Sequence, residues 1–135
     1  MYLMVILFDK FNLPEDIYEV IFATKQQVIV AKLLIDMIKT KGDEITKTEM
    51  SFFATQLHEG KLITDRIEEP GYKGKKVRVS YNKRQFYDRI LTPMKSMGII
   101  NYDLYKKTYR LSDDFNKEMI RIGLMWLQEY RKKVT

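Results

Sequence analysis

The chain is predicted to be mainly α with a small antiparallel β element, an α+β fold in a single domain spanning 1–135. Three observations predict it. Apolar residues recur at helical spacing around 17–38, 50–57, 86–97 and 119–130. Residues 99–102 and 108–111 read as two strands joined by a five-residue tip, Asp103 to Lys107. Gly42, Gly60 and Gly98 fall where the first three periodic stretches stop. At 135 residues, 45% hydrophobic and 31% charged, the chain is large enough for a core and too apolar for disorder.

The run Tyr2–Phe8 is too short to span a bilayer, and Asp9 and Lys10 follow it at once. It reads as a buried strand or docking segment. Asn12 is a cap candidate and Pro14 suits a first helical turn. From there Ile17, Ile21, Thr24, Val28, Ala31, Ile35 and Ile38 alternate at four and three spacing. Either one long helix runs from Pro14 to about Lys39, or Thr24 caps a second helix from Lys25. Residues 44–46 read as a short strand. Thr46 or Thr48 caps a helix ending near His58, Thr46 having capping-box spacing with Glu49, and Met50, Phe53, Ala54 and Leu57 face inward.

Residues 61–81 alternate like strands on either side of turn chemistry at Pro70-Gly71 and Gly74, which predicts a protruding hairpin or ordered loop. Asn82 caps the next helix, buried through Phe86, Ile90, Met94 and Met97. Pro93 lies inside it and should bend it. After the 99–111 hairpin, Ser112 or Asp113 caps a last helix running to about Lys133. Met119, Ile122, Trp126 and Tyr130 make one face of it, and Ile120, Leu124 and Leu127 another. A helix apolar beyond one stripe needs cover on two sides. A second subunit would supply it, through Ile120, Leu124, Trp126 and Leu127; the alternative is cover from the N-terminal segment and first helix.

The net charge is +6, and it is concentrated. Residues 71–89 alone carry a balance of +6, whereas residues 1–24 are acidic. Such a patch is the footprint of a polyanion binder. The absence of cysteine excludes thiolate zinc, disulfides and a cysteine nucleophile, and with His58 as the one histidine and no adjoining nucleophile elbow nothing supports a Ser-His-acid arrangement. There is no phosphate-cradling glycine motif. The adjacent acids Asp43-Glu44 and Asp113-Asp114 read as caps or loops. No catalytic residue, metal or cofactor is expected. Cysteine absence fits a reducing cytoplasm, and with abundant lysine, isoleucine and tyrosine it suits a thermophilic archaeon or its mobile elements.

The expected partner is double-stranded DNA. Off the buried stripe of the helix after Asn82 lie Lys83, Arg84, Gln85, Tyr87, Asp88 and Arg89. Arg and Lys suit guanine edges, Gln suits adenine, and Lys and Tyr also reach phosphate. Asp88 would accept from cytosine or orient Arg84 or Arg89. Lys106 and Lys107 at the hairpin tip, with Arg110, would enter a minor groove or clamp its phosphates. Lys73, Lys75, Lys76 and Arg78 would follow the backbone. Any one lysine alone reads as solvated surface; the case rests on the cluster.

Residues 25–111 resemble a winged helix-turn-helix domain: helix 25–40, strand 44–46, helix 47–58, helix 82–97 and a wing at 99–111. The phrase Ile90-Leu-Thr-Pro-Met-Lys-Ser-Met-Gly-Ile-Ile100 is similar to the recognition-helix exit of many bacterial and archaeal regulators. The flanking segments 1–24 and 112–135 are similar in arrangement to MarR-type dimeric repressors, and the 61–81 insertion and the single long final helix depart from that pattern. The resemblance implies a dimeric, sequence-specific transcriptional regulator whose 82–97 helix reads bases and whose last helix dimerises. A rival reading is a winged helix that binds proteins in transcription or replication machinery. Membrane-surface attachment is disfavoured, because no basic amphipathic helix accompanies residues 2–8.

Overall fold

The computed structural model describes residues 8–64, 71 and 74–134. The Tyr2–Leu7 part of the N-terminal run, most of the 65–73 turn region and Lys73 lie outside them. The chain is α+β, with helices dominating a small antiparallel sheet.

Helix α1 (Ile17–Ile21) is short. Its cap is Asp16, not Asn12, and it is separate from α2 (Lys25–Thr40). Asn12 is used instead in a turn with Asp9, whose N–H donates to the Asn12 carboxamide oxygen (2.6 Å). The break between α1 and α2 is made at Thr24. Its hydroxyl accepts from the Gln27 N–H while the Gln27 side chain accepts from the Thr24 N–H, a closed capping box. The two helices are pinned by an Asp16–Lys32 ion pair at 2.7 Å. Ile17, expected on the buried stripe, is exposed.

Strand β1 (Glu44–Thr46) leads into α3 (Lys47–His58), capped by the expected Thr46–Glu49 box. Strands β2 (Leu62–Thr64) and β3 (Val77–Val79) form the 61–81 hairpin, with Ile63 opposite Arg78. Its base is tied down by the Tyr81 N–H donating to the Leu57 carbonyl and by the Gln26 side chain donating to the Ser80 carbonyl.

The following helix comes in three parts: α4 (Lys83–Phe86), a π-helical turn (Tyr87–Leu91) and α5 (Thr92–Ser96). Pro93 has no N–H to give the Arg89 carbonyl, and its ring crowds that carbonyl. The helix takes this up by widening one turn ahead of it: the Thr92 N–H reaches back to the Tyr87 carbonyl. The wide turn also buries Ile90 and Leu91 side by side.

Strands β4 (Ile100–Asp103) and β5 (Thr108–Leu111) make the second hairpin, and β1 adds to β5, giving the order β1-β5-β4. The core lies under this sheet and between α2, α3 and the α4–α5 helix. Leu34, Ile38, Ile45, Met50, Leu57 and Phe86 are among its fully buried members.

Gly98 ends α5 at φ +82. A Cβ there would lie 2.8 Å from the Asp114 Cβ, so glycine lets the start of α6 (Asp114–Arg131) approach closely. The Phe115 N–H donates to the Gly98 carbonyl, and the Asn101 amide donates to Asp114. Beyond this first turn every residue from 116 to 134 is exposed, and α6 has no buried residue. Neither α1 nor any other described element covers it.

Candidate nucleic-acid interface

The helix beginning at Lys83 is held by its N-terminus and by one face. The Asn82 carboxamide oxygen accepts from the Gln85 N–H, closing the first turn. The Lys83 N–H, another donor that a helix start leaves open, goes to Nδ1 of His58 at the end of α3 (3.0 Å). The Lys83 ammonium reaches Thr55 Oγ1 on the same helix (3.0 Å). Lys83 thus works as a strut to α3 and is half-buried, which removes it from the freely projecting set.

Tyr87 also leaves that set. It is half-buried, its ring packs edge-on against Phe86 with centroids 5.4 Å apart, and it belongs to the margin of the core. What projects freely is Arg84, Gln85, Asp88 and Arg89, all exposed, with Lys95 one turn beyond Leu91. Asp88 lies 3.9 Å from Arg84, one helical turn away, so it is placed to orient that guanidinium. Phe86, Ile90 and Met94 are fully buried on the opposite side.

The β4–β5 tip is a fixed turn. The Asp103 carboxylate accepts from the N–H groups of Tyr105 (2.9 Å) and Lys106 (3.0 Å). The bond from the Lys106 backbone, chiefly, holds its carboxyl below the ordinary aspartate range. Lys107 adopts φ +55, and its carbonyl accepts from the Lys47 N–H at the start of α3. Lys106, Lys107, Leu104 and Tyr105 are all exposed there. Arg110, on β5, is exposed too, but its register partner is Glu44 on β1. Lys75, Lys76 and Arg78 are exposed on the first hairpin.

These groups fall at the two ends of α3. Its C-terminal end carries the α4 start, with Arg84 and Gln85, and the base of the first hairpin. Its N-terminal end carries the β4–β5 tip. The 12 residues of α3 span about 18 Å. That is about the width of one major and one adjacent minor groove together. Sequence reading missed Lys47, whose nearness to the tip follows from the β1–β5 pairing, and the His58 joint, which links residues 25 apart. It also missed the apolar pair Leu104 and Tyr105 within the tip.

Among the described residues no group of three His, Asp or Glu side chains is placed to hold a metal ion. No helix among them is long and apolar enough to cross a membrane. Compared with known proteins, the chain matches no family model, no curated protein and no solved structure.

Proposed function

We propose that the chain is a winged helix-turn-helix protein that binds double-stranded DNA sequence-specifically, as a dimer, and regulates transcription. The motif would comprise α2, β1, α3, the α4–α5 helix and the β4–β5 wing. The observation that carries the reading is the two-sided helix after Asn82. One side is locked into the core through Phe86, Ile90 and Met94, while Arg84, Gln85 and Arg89 stand in solvent at its N-terminal half. A major groove admits a helix in that attitude. Lys106 and Lys107 on their fixed turn would hold the neighbouring backbone, and Lys75, Lys76 and Arg78 would add phosphate contacts. Ile120, Leu124, Trp126 and Leu127 on the bare α6 would make the dimer. No cofactor enters the reading.

The test is a gel shift with bulk genomic duplex at low and moderate salt. With six or so phosphates neutralised, affinity falls on the order of 10³-fold between 50 and 200 mM salt. Arg84→Ala should relax sequence preference at a cost of about 1–3 kcal/mol at its base pair, while Lys106→Ala weakens all sequences alike. Unchanged affinity in both variants sinks the assignment of these surfaces.

A protein-binding role has its own supporting observation. An apolar groove of about 470 Å³ opens between α2 and α3, lined by Leu33, Met37, Phe52, Phe53 and Leu62, with Phe52 largely exposed. Absence of any shift at low salt would favour that role.

A further inference from the structure

We propose that α6 pairs with α6 of a second copy of this chain in antiparallel sense, the helices crossing where the two Gly123 residues face each other. The proposal rests on the dimer reading above and gives it a geometry.

At about 100° per residue, the apolar arc of α6 is about 200° wide. Ile122, Trp126 and Met119 lie on one side of it and Leu127, Ile120 and Leu124 on the other, all exposed. Asn116 and Arg131 interrupt it only in the first and last turns. The opposite side carries Lys117, Glu118, Arg121, Gln128 and Glu129, with Met125 among them. Gly123 falls at the middle of the arc and also at the middle of the helix's length. Among the described residues nothing lies within 4 Å of where its Cβ would be, so no contact among them calls for this helix-weakening residue. A facing backbone does call for it, because a missing Cβ lets two helices approach most closely at that point.

Direction follows from the ends. Asp113 and Asp114 open α6, and Arg131, Lys132 and Lys133 close it, all exposed. A crossing at the midpoint brings the acidic start of one copy to the basic end of the other. A parallel pair would set acid against acid and base against base. The antiparallel sense also opposes the helix dipoles favourably and puts the two folded bodies, each joined to the first turn of its own α6, at opposite ends of the pair. In this register Ile120 of one copy faces Leu127 of the other, and Met119 faces Trp126.

The cysteine-free chain makes the test direct. Ile120→Cys and Leu127→Cys are prepared separately and oxidised with copper phenanthroline, alone and mixed. The mixture should give a covalent 120–127 heterodimer at least tenfold in excess of the homodimer from either variant alone. Gly123→Leu should raise the dimer dissociation constant at least tenfold, read by light scattering, with the unfolding of the body unchanged. A dimer that cross-links like to like, or that tolerates Gly123→Leu, overturns the antiparallel crossing and leaves the dimer standing. A mass of 16.2 kDa at micromolar concentration overturns both. No DNA is used, so the result is independent of the DNA reading.

Discussion

Helices α2 and α6 are of similar length and both rich in apolar residues, yet they end in opposite environments. Of the 16 residues of α2, Val28, Val30, Ala31, Leu34, Ile35 and Ile38 are buried; of the 18 of α6, none is. The difference lies in what the chain brings alongside. Helix α2 is met by α1, β1 and the π-helical turn, whereas α6 leaves the body after its contacts with Gly98 and Asn101. Apolar content therefore sets how much cover a helix needs, and topology decides whether its own chain supplies it.

The widest separation between the two regions is expected from large-to-small substitutions. Phe86→Ala removes a fully buried ring that packs on Phe53 and Tyr87, and should cost about 3–5 kcal/mol. Trp126→Ala removes a ring that is 65% exposed and packs edge-on against Tyr130. It should leave unfolding of the body unchanged in dilute solution. Urea titrations at low and high protein concentration check both: the Phe86 effect is the same at each, while the Trp126 effect grows with concentration. An equal loss for both substitutions at low concentration would mean that α6 folds back on the body in solution.

The glycine joint between the regions comes next. Gly42→Ala and Gly98→Ala share a positive φ, which costs about 1–2 kcal/mol for a residue with a Cβ. At Gly42 no other described residue stands in the way, but at Gly98 the new Cβ meets Asp114 at 2.8 Å and the Phe115 nitrogen at 3.0 Å. Gly98→Ala should therefore lose more stability than Gly42→Ala. It should also speed protease cleavage around 112–115, where α6 joins the body; equal behaviour of the two variants contradicts the close approach.

A local signal in the sequence was enough wherever a local contact decides the structure. The Thr46–Glu49 box, the Asn82 cap, the Gly98 stop and the stripe Phe86, Ile90, Met94 each depend on residues within a turn or two, and each is found, while Met97, expected as the stripe's fourth member, is only half-buried. The break at Thr24 was one of two readings, because the apolar spacing runs through it without a fault. The π-helical turn was out of reach. The missing Pro93 N–H is visible in the sequence, but whether a bend or a wide turn absorbs it depends on Ile90 and Leu91 both finding room in the core. In the candidate interface, residue type identified Arg84, Gln85 and Arg89 as outward-facing, whereas the inward roles of Lys83 and Tyr87 depend on α3 and Phe86. No periodicity could tell that α6 would stand bare.

Thr46→Ala tests one end of the body without touching α6. It deletes the acceptor for the Glu49 N–H and should cost about 1 kcal/mol in thermal or urea unfolding. No loss would mean that water or a neighbour serves that N–H equally well.

The smallest effect is expected in the acid response, and it too should belong to the body. The Lys41 ammonium, 2.8 Å away, and then the Thr46 N–H hold the Glu49 carboxyl below its ordinary range. The bond to Lys32, with help from the Tyr18 N–H, does the same for Asp16. A carboxyl whose folded value is depressed binds protons more readily in the unfolded chain. Its stabilisation is therefore complete above the ordinary carboxylate range and is lost as pH falls through the lowered folded value. Both groups are solvent-accessible, so screening keeps each contribution small. Glu49→Gln retains an acceptor for the Thr46 N–H and removes the charge. It should flatten the acid limb of the unfolding profile while leaving the helix cap formed, a result that Thr46→Ala would not reproduce. If the Gln variant keeps the full acid slope, the proton uptake lies elsewhere, and Asp16→Asn and Asp103→Asn are the variants that should then reduce it.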